Sequence, residues 1–450
     1  MLITNATLIT WGVNNQILPN HALYIEGDRI ADIGPTAELQ SKYPEAEPLD
    51  AGGQYVAPGN ICAHTHFYGA FARGMAIPGD PPKDFPEILE RLWWKLDKAL
   101  TLEDAHYSAL VCLIDAIKHG ATTLVDHHAS PNAIEGSLDV VAEAVKRAGL
   151  RACLCYEVTD RDGADRAKAG IEENLRFIKS QRANPHPQLA ATFGLHASLT
   201  LSDATLEACR NAHDGAFHIH AAEHESDQYD SLKKSGLRVI DRLNKFGVLS
   251  NPGAGPSGPH SIVAHGVHID HREAGLLAAT QTWVTHQPRS NMNNAVGVAE
   301  VEGLLRLGVK VALGNDGFSN AMWDEWKATY LYHKAARRDP RRMSGASVAE
   351  MAMTNNSALA GEYFPQAPIG ALMPGAFADI IFVDYHPTTP LTADNLPWHI
   401  IFGFENSMVT TTICAGRILM KDRRLLFLDE AEIAAKSREL AKRAWSRLSA

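Results

Sequence analysis

NICAHTH, residues 60–66, is an apolar run that closes on two histidines, His64 and His66, one residue apart. On a strand, side chains alternate between faces, so both imidazoles project to the same side. Seven further runs rich in Val, Ile, Ala and Thr follow: ATTLVDHH, RACLCYEV, LAATFGLHA, AFHIHAAE, SIVAHGVHI, TWVTHQPRS and KVALGNDG. Segments of helical period separate them, which is the pattern of parallel βα units. Eight such runs predict an α/β fold, a closed (β/α)8 barrel of the TIM type.

The intervening segments agree. LEDAHYSALVCLIDAIKHG and DVVAEAVKRAG space apolar residues three and four apart and stop on Gly120 and Gly149. Ser202 or Asp203 offers an N-cap for the segment that follows the fourth run. Nearly every run ends in a histidine or an acid: His64 and His66, Asp126 with His127 and His128, Glu157, His196, His220 with Glu223, His265, His286 and Asp316. In a (β/α)8 barrel the carboxyl ends of the strands form the rim that carries the active site.

Outside the barrel, 59–364, residues 1–58 and 365–428 read as short strands and turns, with a Gly-Asp hairpin in ALYIEGDRIADIG. Neither piece is large enough for a secure core, so both are expected to pack as one small composite β-sandwich. Residues 429–450 read as a terminal amphipathic helix. In the long connection after the first run, AIPGDPPKDFPEILERLWWKLDKAL, the pair Trp93-Trp94 belongs to a lid, a subunit contact or the core.

The 450 residues carry 42 Lys and Arg against 52 Asp and Glu, a formal charge of -10, which argues against nucleic-acid and membrane-surface partners. With no charged leader followed by an apolar run, the chain is expected to be soluble and cytoplasmic. Six scattered cysteines form no CxxC pair and read as small core residues.

The strand-end residues carry the chemistry. Alone, His64 and His66 are more often a satisfied polar pair than a metal site, but HIHAAE adds His220 with Glu223 three residues on, and VALGNDG adds Asp316 between glycines. His265 and His196 fall where a substrate would lie. His218, two residues before His220, reads as a packed supporting histidine. Three neutral imidazoles and one carboxylate suit a zinc-type ion with an open position, which lowers the pKa of a bound water from 15.7 to about 7. Glu223 is then placed to shuttle a proton to a ring nitrogen, while His265 and Asp316 take the proton of the water. No lysine ends the fourth run, which points to a single metal ion.

These motifs resemble the amidohydrolase superfamily, in its mononuclear deaminase and chlorohydrolase branch. The likeness spans nearly the whole chain, through PGNICAHTH, HIHAAE, AHGVH, THQPRSNMNNAVG, LGNDG and MPGAFADIIFVD. FARGM, VDHHASPNAIEGSLD, LCYEVTDRDG and DYHPTTPLTADNLP are most similar to SsnA-type aminohydrolases, a group linked to purine breakdown. The resemblance implies His64, His66, His220 and Asp316 as ligands of one divalent ion, zinc first, with iron or manganese also compatible. It implies Glu223 and His265 as catalytic groups and His196 as substrate-facing. Relatives are commonly homodimers. Where many members carry a glutamine for ring recognition, this chain has Tyr68, with His128 as a further candidate contact; after the fourth-run histidine it has HASLT in place of Pro-Tyr. Both departures touch substrate contacts. Deamination of an amino-substituted purine, pyrimidine or pterin leads. Dechlorination or dealkylamination of a triazine, cyclic-amide hydrolysis and a catalytically dead binding barrel are the alternatives.

Overall fold

The structure is a computed structural model that describes residues 1–77, 79–249 and 258–448. The chain begins with five short strands, β1 (Leu2–Ile9), β2 (Ile17–Glu26), β3 (Arg29–Pro35), β4 (Pro48–Asp50) and β5 (Tyr55–Pro58). The β2–β3 hairpin turns on Gly27-Asp28, with Gly27 at φ 59°, a conformation that costs a residue without a side chain little.

Nine strands then build the barrel: β6 (Asn60–Thr65), β7 (Ala121–Asp126), β8 (Arg151–Leu154), β9 (Leu189–Ala191), β10 (Phe193–Ala197), β11 (Phe217–Ala221), β12 (Ile262–His265), β13 (Trp283–His286) and β14 (Val311–Leu313). All pairings within the two arcs, β6 to β9 and β10 to β14, are parallel. β9 and β10 are consecutive pieces of the fourth strand, which a parallel bridge between Val158 and Leu195 also ties to the third. The ring closes where Thr65 bridges Asp316 and the Asn315 and Asp316 amides donate to the His64 carbonyl at 3.0 and 3.1 Å. The eight predicted units are therefore the eight strands of a closed barrel.

Helix ends fall where the sequence places them. Thr101 makes a capping box for the helix Leu102–Lys118, Ser202 caps Asp203–Ala212, and Gly149, at φ 78°, ends Ser137–Ala148. These caps satisfy backbone groups that a helix end leaves unpaired.

The chain then returns through β15 (Ile380–Val383), β16 (Val409–Cys414), β17 (Arg417–Lys421) and β18 (Arg424–Leu425). β15 pairs antiparallel with β5, so strands from both chain ends join one nine-stranded sheet, and Ile3, Leu8, Leu23, Ile380, Phe382 and Ile413 share its core. The helix Glu430–Arg447 packs on Leu102–Lys118, and its Trp445 indole donates to the Phe71 carbonyl at 2.8 Å. Residues 449 and 450 of the expected terminal helix lie outside the described residues. None of the six cysteines is paired, and burial pushes the thiols of Cys62 and Cys209 up to about 12. Among the described residues no helix is long and apolar enough to cross a membrane.

Sheet and barrel are held together by a buried ion pair. Arg151, at the start of β8, reaches Asp379 at 3.1 Å, donates to the Pro187 carbonyl at 2.7 Å and stacks over Phe377 at 3.8 Å. Both charges are buried, so removing one strands the other. Arg151→Met is expected to cost about 3–5 kcal/mol of stability, measured as a lowered denaturant midpoint; a midpoint equal to that of the parent would refute this role.

Candidate metal centre

The barrel rim gathers the strand-end residues. His64 and His66 come from the end of β6, His220 from β11, His265 from β12 and Asp316 from the turn after β14. The approach of β14 to β6 depends on Gly314, where a Cβ would lie 2.7 Å from the His64 carbonyl oxygen. His265 and Asp316 hold φ values of 73° and 58°, in the left-handed region that non-glycine residues seldom occupy. Strain of this kind persists where surrounding structure imposes it, and here it aims two side chains inward.

Each imidazole is oriented from behind. His66 Nδ1 donates to the His127 carbonyl at 2.6 Å and His220 Nδ1 to the His196 carbonyl at 2.8 Å. A carbonyl only accepts, so in the neutral rings each Nε2 carries a lone pair. Those two Nε2 atoms are 3.2 Å apart, and His66 Nε2 is 2.8 Å from Asp316 Oδ1. Lone pairs and a carboxylate at such distances require positive charge among them. The separation also matches two ligand atoms each about 2.0–2.1 Å from one ion at a near-tetrahedral angle. His64 Nε2 is buried without a hydrogen-bond partner, 3.6 Å from Asp316 Oδ1, while its Nδ1 meets His218 Nε2 at 2.9 Å. The ligand atoms of His64, His220, His265 and Asp316 lie within 4.8 Å of one another. These residues fit one divalent metal ion.

The electrostatics agree with the geometry. Burial holds the His64 imidazole down at about 3 and those of His218 and His220 well below the usual range, so all three are neutral donors. Burial opposes charge on Asp316, but His64 and His66 outweigh it and keep the carboxylate well below its usual range. Burial also pulls on His66, yet Asp316 and Glu157 prevail and raise it, so without an ion this ring carries the positive charge, as a proton that a bound cation would displace. Glu223 goes the other way: burial, then the Asp316 charge, pushes its carboxyl well above the ordinary range. It keeps its proton, as an acid should before donating it. His265 Nε2 lies 3.5 Å from Glu223 and 3.9 Å from Asp316, and its Nδ1 meets the Asn291 side chain at 2.9 Å.

A cavity opens over these groups. His196 and Tyr68 line it; His128 is not among its described lining residues, and its ring lies 6.1 Å from that of Tyr68 with Nε2 on Ser130. His286 faces elsewhere, 3.1 Å from His333. The segment after the first strand, of which Pro78 lies outside the described residues, supplies Phe85, Leu89, Trp93 and Trp94 to the cavity wall. Trp94 sits edge-on to His196 at 6.5 Å, and Trp93 to Tyr68 at 6.3 Å.

Several participants escape sequence reading. Ser290 Oγ donates to Asp316 Oδ2 at 2.5 Å, and Asn294 joins Ser290 to Glu223. Ser290 and Asn294, with Asn291, sit in THQPRSNMNNAVG, whose density of amides was the available signal. Glu157, which the sequence places at a strand end without a role, is 1% exposed and lies 3.3 Å from His66, 3.2 Å from His127 and 3.6 Å from His196. Asp97 lines the cavity and pairs with Arg161 at 2.7 Å.

Fold and site together define a (β/α)8-barrel protein with imidazole and carboxylate groups able to hold one metal ion at its rim. The description "Amidohydrolase family" matches residues 55–419, and "Imidazolonepropionase-like composite domain, bacteria" matches residues 22–46. The chain belongs to the amidohydrolase family. It is similar to a 5-methylthioadenosine/S-adenosylhomocysteine deaminase of Syntrophomonas wolfei subsp. wolfei, 30% identical over 98% of this chain and 99% of that one. It is similar also to a 5'-deoxyadenosine deaminase of Methanosarcina mazei, 28% identical over 98% of both. Among solved structures, a zinc-bound adenosine deaminase from Xanthomonas campestris superposes with a TM-score of 0.84 at 23% identity, over 99% of this chain and 98% of that one.

Proposed function

We propose that this chain is a metal-dependent aminohydrolase that replaces the exocyclic amino group of an adenosine-type purine with oxygen from water. The observation that carries the reading is one buried, proton-bearing carboxyl, Glu223, set beside a convergent group of imidazoles and Asp316. His64, His66, His220 and Asp316 would hold the ion, for which zinc is favoured by the adenosine deaminase of the same fold. Bound there, a divalent ion lowers the pKa of water from 15.7 to about 7, so that a hydroxide-strength nucleophile is present at neutral pH.

The residues of the chain account for the protons. Glu223 donates to the ring nitrogen beside the amino-bearing carbon, so charge does not accumulate as the C–O bond forms. His265 and Asp316 accept the proton of the attacking water. That proton goes to the amino group, the remaining hydroxyl proton of the added water returns to Glu223, the C–N bond breaks, and ammonia leaves a ring that now carries a carbonyl oxygen. His196 and Tyr68 hold the ring. Residues 59–364 serve as the catalytic unit, with 1–58 and 365–428 as its supporting β-domain and the helix Glu430–Arg447 appended. Unpaired cysteines and the acidic balance support a cytoplasmic enzyme acting on a small molecule.

The test is ammonia release by zinc-loaded protein from adenosine, 5'-deoxyadenosine, guanine, 8-oxoguanine, cytosine, pterins and amino-triazines. Release from the adenine-bearing compounds, abolished by chelator, is the expected result. Release confined to another ring would reassign the substrate. Silence throughout from metal-replete protein would redirect the reading to chloride, alkylamine or cyclic-amide substrates.

A further inference from the structure

The amino-bearing ring must lie against Glu223, His220 and Asp316, so whatever the ring carries extends along the remaining wall of the cavity. That wall is made by Phe85, Leu89, Trp93, Trp94 and Leu199, and its ionisable groups are the carboxyls of Asp97 and Asp227 and the imidazole of His224, which burial holds below its usual range and whose Nδ1 meets Ser226 Oγ at 3.0 Å. No lysine or arginine lines the cavity among the described residues, and residues 78, 250–257 and 449–450, which lie outside them, include neither type.

The nearest cations are engaged elsewhere. Arg161, its side chain 7% exposed, pairs with Asp97 at 2.7 Å and stacks over Trp94 at 5.1 Å, and is not part of the cavity lining. Lys234 pairs with Asp230 at 2.7 Å and donates to the Leu199 carbonyl at 2.7 Å. An anionic tail entering here would give up its hydration against indole and leucine side chains and meet a carboxylate. Desolvating an ionised group without a partner is strongly unfavourable.

We infer that the site selects its substrate by charge, taking adenosine-type compounds whose 5' substituent is uncharged and rejecting those that bear a phosphate there. The inference rests on the deaminase reading above.

The experiment compares kcat/KM of the zinc-loaded full chain for 5'-methylthioadenosine, 5'-deoxyadenosine and adenosine 5'-monophosphate. A phosphate is bulkier than a methylthio group, so Leu199→Lys, at a half-buried position, separates charge from size. The uncharged compounds are expected to exceed the monophosphate by about 100-fold or more, and Leu199→Lys to narrow the ratio by about tenfold through a gain on the monophosphate. A monophosphate within about threefold of the uncharged compounds in the parent protein overturns the inference and leaves the deaminase reading intact. A folded Leu199→Lys protein with an unchanged ratio overturns charge as the cause. No ammonia from any of the three overturns the deaminase reading itself.

Discussion

His220→Ala is expected to leave a folded protein that retains no metal through dialysis and turns over no substrate. His220 reaches the centre from β11, and its ring is fixed by the His196 carbonyl at 2.8 Å. Loss of a supporting group behind a ligand already costs about 10–100-fold in affinity, and loss of the ligand itself should cost more than about 100-fold. His218→Ala supplies the graded comparison. That residue contacts His64 Nδ1 at 2.9 Å, so its loss should weaken retention by roughly 10–100-fold without abolishing it. Metal content by elemental analysis of the dialysed proteins decides the matter, and stoichiometric metal in His220→Ala would remove that residue from the ligand set.

Glu223→Ala should separate binding from chemistry. Glu223 is the buried acid whose carboxyl is driven up by desolvation and by Asp316, and it is not needed to complete the ligand set. The variant should therefore hold the same metal as the parent while kcat falls by about 10²–10⁴-fold, the usual contribution of a positioned general acid. A fall of 10³-fold corresponds to about 4 kcal/mol of lost transition-state stabilisation. Metal content and kcat are read on the same preparation. Full turnover in Glu223→Ala would sink the proton-shuttle role, whereas loss of both metal and turnover would place Glu223 among the ligands.

The contrast between these two residues, three positions apart, follows from how much of the site is local. Which residues stand at the rim was legible because a strand end is local information. An apolar run, its alternation and the polar residue that closes it fix both the element and the face. That logic brought out all eight strands, the glycine stops at Gly120 and Gly149, and the placement of His64, His66, His220, His265 and Asp316. It also suggested His218 as a supporting histidine, but spacing could not prove it. His218 and His220 share a face, and only their depth in the barrel separates them.

Depth and neighbours were decided by the tertiary structure. His218 meets His64 across 154 residues of sequence, Asp316 meets Ser290 across 26, and Arg151 finds Asp379 across 228. Trp93 and Trp94 became cavity wall because the fold sets the Trp93 ring against Tyr68 and the Trp94 ring against His196. Sequence alone determined the barrel, its order and the rim residues, since these depend on periodicity within one strand. The tautomers, the Glu223 proton and a cavity wall without lysine or arginine among the described residues waited for the fold, because each depends on desolvation and on partners that only strand register and barrel closure bring together.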